Sequence, residues 1–408
     1  MPIESPDRVR LFYRLCGIGF AAHLAYNLAR DPVLSLYARH LGFSPQLVGI
    51  LMGASTLTGV FTKFLFGALS DSLGRRRVLV AAIVVTAFAP ILYFLHGGFG
   101  YLLCVRIVHG TATAILGPVG SAVVADLAGA HERGFRLGTF SSAARSGQLL
   151  APWIGGSLIQ WAGYRYPFAA AGVAGFIGLT LMVGWPETGT PQHLSWRAHA
   201  GRMREGFREV LSSRPILVTS VAEALQFFAT GLLQAMLPIY ATEVAHLSPV
   251  EAGTLWGIQL AVPILSKPLF GRLSDRWGRF AQIVVGFALG ASALWAVAWT
   301  TSFPLLILAC AGYGLGVAVT TSATAAYVTD LCRRQDYGAA HGVFGTIYDI
   351  GHWSGQTFSG ILVVAVGYRG AFGIYAGALM AAAILFGMLG RAPAGPTIPS
   401  VGRSAASG

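Results

Sequence analysis

Charge is what this chain has least of. Over 408 residues, 11% are Asp, Glu, Lys or Arg and 54% are hydrophobic, whereas a soluble domain carries about 25% charged residues. Lysine is almost missing, with two among 28 basic residues. Cysteine is scarce too: Cys16, Cys104, Cys310 and Cys332 form no CxxC pair and three lie in apolar runs, which excludes a disulfide framework or a zinc site. No Gly-Lys-Ser/Thr loop accompanies Lys63 or Lys267, and HExxH is absent. Neither an enzyme nor a cofactor is therefore expected.

What remains is a series of long apolar segments. About 20 apolar residues make one bilayer crossing, and twelve spans are expected, near 11–38, 46–67, 78–97, 99–121, 136–159, 166–185, 215–240, 249–271, 280–300, 303–328, 339–363 and 370–390. They must be helices, because a lipid-embedded backbone has to satisfy its own hydrogen bonds and the segments lack the alternation of barrel strands. The fold class is therefore an all-α membrane protein. No cleavable signal is expected, since the first apolar stretch is long and has no small-residue cleavage site.

The spans fall into two copies of one pattern. GALSDSLGRRR from Gly67 to Arg77 returns as GRLSDRWGRFA from Gly271 to Ala281, 204 residues on. In the same register Ser44-Pro45 maps on Ser248-Pro249, Lys63 on Lys267, Asp126 on Asp330 and Tyr164-Arg165 on Tyr368-Arg369. Such a parallel duplication implies two six-helix bundles about an axis normal to the bilayer, with a solute site between them. The expected boundaries are 1–185 for the first bundle, 186–214 for a linker, 215–392 for the second bundle and 393–408 for a flexible tail. Within the linker, Trp196, Met203, Phe207 and Leu211 share a face opposite Arg197, Arg204 and Arg208, as a surface helix would.

The net charge of +12 could suggest nucleic acid, but the basic residues sort by side of the membrane and form no patch. Twenty of the 28 fall on the side of the termini, and only Arg30, Arg39, Arg165 and Arg369 on the other. The positive-inside rule makes both termini cytoplasmic, in a multi-pass cell-membrane protein of bacterial inner-membrane type. The partners expected are the lipid bilayer, a small-molecule substrate and protons, with the chain acting as a monomer.

The repeated G-x-L-S-D-x-x-G-R loops resemble the signature loop of the major facilitator superfamily. Ser72 departs from the pattern where an Arg is usual, and Phe280 replaces the second Arg of the second copy. The resemblance implies gating networks of Gly67, Asp71, Gly74, Arg75 and Asp126 in one half and Gly271, Asp275, Gly278, Arg279 and Asp330 in the other. Asp71 and Arg75 stand at a helical ion-pair spacing, and in the family such networks latch one conformation. The alternative is a topology anchor with a tight turn. In span five, Gly147, Pro152, Gly155 and Gly156 resemble the Gly-Pro-x-x-Gly-Gly motif of the drug:proton antiporters, with Ala151 in place of a Gly. Span eleven repeats the small-residue stripe at Gly351, Gly355 and Ser359. Such stripes let helices approach closely, and if these helices meet across the interface between the halves, smooth seams of this kind are what rocking would need.

Ionisable residues inside the spans are expensive and each needs a reason. Glu223 and Asp349 lie about 12–16 Å deep by helical rise, and a midplane carboxyl facing cations can load and release a proton. The other reading is a permanent interhelical salt bridge. Asp31, beside Arg30 and before Pro32, is a third proton-coupling candidate or a boundary ion pair. Arg106 resembles the span-four Arg that the superfamily associates with proton coupling, against an alternative role as an interface anchor. Arg145 occupies the repeat position of Asp349. Lys63 and Lys267 occupy equivalent positions and either face the cavity or snorkel to the interface. Together with His352 and Gln356 these are the substrate-cavity candidates.

The function expected is alternating-access transport, with proton-coupled efflux of small organic molecules. The alternatives are an organic anion transporter or exchanger that uses the intramembrane Lys and Arg, and a polytopic sensor.

Overall fold

The computed structural model describes residues 6–95, 97–129, 132–189, 201, 204, 208, 213–331 and 337–389. The described residues form helices and no strand. In chain order these are α1 (Pro6–Leu28), α2 (Val33–His40), α3 (Pro45–Leu73), α4 (Arg75–Leu92), α5 (Gly98–Leu127), α6 (Arg133–Ala162), α7 (Arg165–Leu181), α8 (Arg214–Glu243), α9 (Pro249–Trp277), α10 (Arg279–Trp299), α11 (Phe303–Leu331) and α12 (Tyr337–Leu389). The surface-helix stripe Trp196, Met203, Phe207 and Leu211, together with Cys332 and the 393–408 tail, lies outside the described residues.

Punctuation of the helices follows the repeat. Ser44 and Ser248 sit in extended conformation before Pro45 and Pro249, and Ser248 completes a capping box with Glu251, a pairing that satisfies two otherwise unpaired amides. Gly74 and Gly278, with φ of 93° and 86°, turn the chain between α3 and α4 and between α9 and α10. A side chain is strongly disfavoured in that region. Gly367, with φ 72°, bends α12 into the eleventh and twelfth spans.

Two expected boundaries change. Span one is broken into α1 and α2 at Asp31-Pro32, where Pro32 lacks an amide proton and restricts the residue before it. Spans eleven and twelve run on as one bent helix without a loop. Among the described residues six helices qualify as membrane-crossing by length and apolarity alone. Others, such as α6 with Arg133, Arg136 and Arg145, carry several charged residues. Outward faces are apolar in both copies: Phe61 and its repeat mate Leu265 are 73% and 76% exposed, as lipid-facing residues are.

The core is arranged unevenly along the membrane normal. At the end remote from the termini one apolar cluster joins both halves, from Val33, Tyr37 and Val48 to Leu233, Tyr240 and Trp256. Toward the termini the core separates. Phe12, Ile18, Val119 and Phe140 cluster in the first half, and Ile216, Val328 and Phe344 in the second. The halves are thus closed together at the end remote from the termini and separately packed at the end near them.

Candidate transport pathway

The closed end, remote from the termini, is built from backbone contacts that only glycine permits. A Cβ on Gly360 of α12 would enter the backbone of Pro45 at the start of α3, and one on Gly156 of α6 would enter that of Pro249 at the start of α9. Gly253 meets Pro152 in the same way, and Gly49 meets Gln356. The other members of the small-residue stripes have a different neighbour. Gly147 lies against Phe20 and Leu24 of α1, Gly155 against Val33, and Gly351 and Gly355 against Ala224 and Phe228 of α8. Those four glycines pack each half internally, while Gly156 and Gly360 face the other half.

Polar contacts follow the same seam. Arg39 Nε donates to Glu243 Oε1 at 2.6 Å, and Arg30 donates to Gln234 Oε1 at 3.0 Å. Each of these pairs consists of repeat mates, 204 residues apart. Residues at equivalent positions that touch each other lie on the pseudo-twofold axis. Identical residues there would set like against like, and the copies have diverged into complementary ones. Gln234 Nε2 also donates to Asp31 Oδ2 at 2.8 Å, Thr56 donates to Gln356 Oε1 at 3.0 Å, and Gln356 donates to Gln234. Asp31 is buried, with Arg30 Nε 3.8 Å from its other oxygen. Its main partner is therefore across the seam, not the boundary ion pair alone.

Arg106 is fully buried, 5.3 Å beneath the Tyr26 ring and near Tyr93 and His109. This rules out the interface-anchor reading, since a snorkelling Arg keeps its head in water.

Lower in the membrane, Lys63 Nζ lies 2.5 Å from Asp349 Oδ2, joining α3 of one half to α12 of the other. Side chains lean toward the N-terminus of their helix, which carries the Lys63 ammonium outward from the end of α3. Snorkelling to the inner interface is excluded for Lys63. Among the described residues its repeat mate Lys267 makes no ion pair or hydrogen bond; it interacts electrostatically with Arg145 and Glu223. Glu223 is buried in the second half and accepts a 2.7 Å hydrogen bond from Thr324. Arg145 is solvent-exposed. His352 packs on Phe227, and Gln356 belongs to the seam.

The loops on the side of the termini hold charge networks. Arg75 bonds Asp71 at 2.5 Å and Asp126 at 3.2 Å, and Arg279 bonds Asp275 at 3.2 Å as well as Asp330. These described ion pairs stay within one half. Gly67 and Gly271 lie within the last two turns of α3 and α9, ahead of the turns at Gly74 and Gly278. A member missed in the sequence is Glu187, whose carboxylate accepts from the Arg75 amide at 2.7 Å and the Arg76 amide at 3.3 Å. It caps the N-terminus of α4, where the helix dipole favours negative charge. The available signal was a lone carboxylate after Pro186 at the end of span six.

Two bundles that close at one end over buried charges and separate at the other match a known family. A model of the Major Facilitator Superfamily matches residues 15–351 and 219–406. The chain belongs to that superfamily. Similar relatives include an uncharacterized MFS-type transporter of Methanocaldococcus jannaschii, 23% identical over 88% of this chain and 90% of that protein. Another is the quinolone resistance protein NorA of Staphylococcus aureus, 20% identical over 81% and 84%. Among solved structures, a bacterial homolog of the human lysosomal transporter Spinster, inward-facing and unoccupied, superposes with a TM-score of 0.78 at 16% identity over 95% and 96%. The nucleoside transporter NupG D323A mutant gives 0.79 at 13% identity over 93% of this chain and all of that one. As a member of this superfamily the chain is a transporter and not an enzyme.

Proposed function

We propose that this transporter exports small organic molecules against proton entry, as a monomer in a bacterial inner membrane with both termini cytoplasmic. In that orientation the closed seam faces outward and the separated ends face the cytoplasm, so the conformation is inward-facing. The observation that carries the reading is the Lys63–Asp349 pair, because a titratable bond between the halves couples protonation to their relative position. A proton on Asp349 removes its charge and releases Lys63, and the halves are then free to rock. Glu223, held by Thr324 one bundle layer away, is the second carrier. Asp31, with Arg106 nearby, is a carboxyl whose protonation would loosen the outer seam. The inner Arg75 and Arg279 networks would latch the opposite, outward-facing state.

The energetics suffice. A proton moving down about 100 mV supplies about 2.3 kcal/mol, and a tenfold gradient of neutral solute requires about 1.4 kcal/mol. The resemblance to NorA supports efflux. The test is flux of a dye panel in proteoliposomes under an imposed pH gradient. Glu223→Gln and Asp349→Asn should each abolish gradient-driven flux while leaving the protein folded. Normal pH-driven flux in both variants would end the proposal.

A further inference from the structure

The duplication produces two crossings between the halves, and they differ in charge. At the first, Pro45 of α3 meets Gly360 of α12; at the second, Pro249 of α9 meets Gly156 of α6. Each residue of one contact is the 204-residue repeat mate of a residue in the other. Lys63 lies 18 residues beyond Pro45, and Lys267 lies 18 beyond Pro249. At about 3.6 residues per turn, 18 residues close five turns, so both lysines face the helix that their proline touches. Asp349 precedes Gly360 by 11 residues, and Arg145 precedes Gly156 by 11. Eleven residues come within about 20° of three turns, which keeps these two on the seam face as well.

At the first crossing this register produces the Lys63–Asp349 bond. At the second it sets Lys267 against Arg145, two cations. Among the described residues neither has an ion pair or hydrogen bond, and like charges so placed repel. Arg145 is exposed and Lys267 half-buried, and the register to Gly156 and Pro249 places both on faces that their helices turn toward the other half. The nearby carboxyl, Glu223, is already engaged by Thr324. Facing cations within a membrane span persist where something anionic visits them. A guanidinium offers a planar fork that fits a carboxylate, and an ammonium adds a movable point charge.

We infer that Arg145 and Lys267 form a receptor for the carboxylate of the transported solute, the ligand-filled counterpart of the self-neutralised Lys63–Asp349 crossing. This rests on the reading of the chain as an exporter of small organic molecules, and it narrows the cargo to organic acids and zwitterions. Bound carboxylate would take the place that Asp349 holds at the first crossing and draw the halves together.

Thermal unfolding of the purified full-length protein tests this without any pH gradient, using benzoate, benzamide and chloride as probes. Benzoate should raise Tm, and benzamide and chloride should not. Arg145→Gln and Lys267→Gln should each weaken the benzoate response at least tenfold. Arg145→Asp supplies a second, ligand-free readout. It places a carboxylate opposite Lys267, as at the first crossing, and should raise Tm above that of Arg145→Gln while abolishing the response to benzoate. No shift with benzoate, an equal shift with benzamide or chloride, or a full response in Lys267→Gln would overturn the assignment. Failure of proton-driven flux would leave these melts unchanged, and failure of the melts would leave proton coupling standing.

Discussion

Removing the Asp349 charge should redistribute the two conformations by a calculable amount. Lys63 Nζ and Asp349 Oδ2 are 2.5 Å apart, and their side chains are 41% and 12% exposed. An exposed pair contributes about 0–1 kcal/mol, and loss of one partner from a fully buried pair costs about 3–5 kcal/mol. With the lysine head partly hydrated the value falls between, about 1.5 kcal/mol, or roughly tenfold in a two-state ratio. Asp349→Asn should therefore raise the outward-facing to inward-facing ratio about tenfold. Spin labels at His40 and Val244, exposed repeat mates at the outer end, would report it as growth of a longer distance in double electron–electron resonance. Lys63→Gln should match it, and the double variant should add little, since both singles break one bond. Acidification of the wild-type protein should move the distribution the same way. Wild-type distributions in both single variants, or effects that simply add, would refute the coupling.

The outer seam yields a second expectation. Arg39→Glu or Glu243→Arg sets like charges on the axis and should lower inward-facing occupancy by about 1 kcal/mol or less in this half-exposed pair, with the double swap restoring it in the same resonance measurement. Gly360→Ala places a methyl group in the backbone of Pro45, which cannot yield as a side chain would. It should trap the seam open and abolish turnover, whereas a wild-type turnover rate would contradict the packing argument. Gly74→Ala meets both a φ of 93° and the Glu187 carboxylate. It should destabilise by about 1–3 kcal/mol in thermal melts, and Glu187→Ala by about 1 kcal/mol through the lost cap.

The duplicated hairpins made the fold legible, since a 204-residue register sets span number, helix direction and the depth of equivalent charges at once. It also placed Lys63, Asp349, Lys267 and Arg145 at matched positions. What it could not give was neighbours. Periodicity states which face Gly147 and Gly351 occupy, but not that α1 and α8 cover them, because a stripe of small residues suits packing within a bundle as well as between bundles. Arg39 read only as a basic residue on the side away from the termini, and nothing in the sequence showed that the axis sets it against Glu243. Glu187 sits in a connection with no period, where only the folded turn at Gly74 reveals its target. Lys63 was ambiguous for a simpler reason: a four-carbon stem reaches either the interface or a partner, and the carboxylate that decides between them comes from another half of the chain.

The central claim is that solute leaves as protons enter through one molecule. The most direct measurement is proton movement into sealed proteoliposomes without an imposed pH gradient, on addition of a transported solute to one side. Solute entry should drive protons out and raise the internal pH, with no change in Asp349→Asn. Solute flux with no accompanying pH change in the wild-type protein would contradict it.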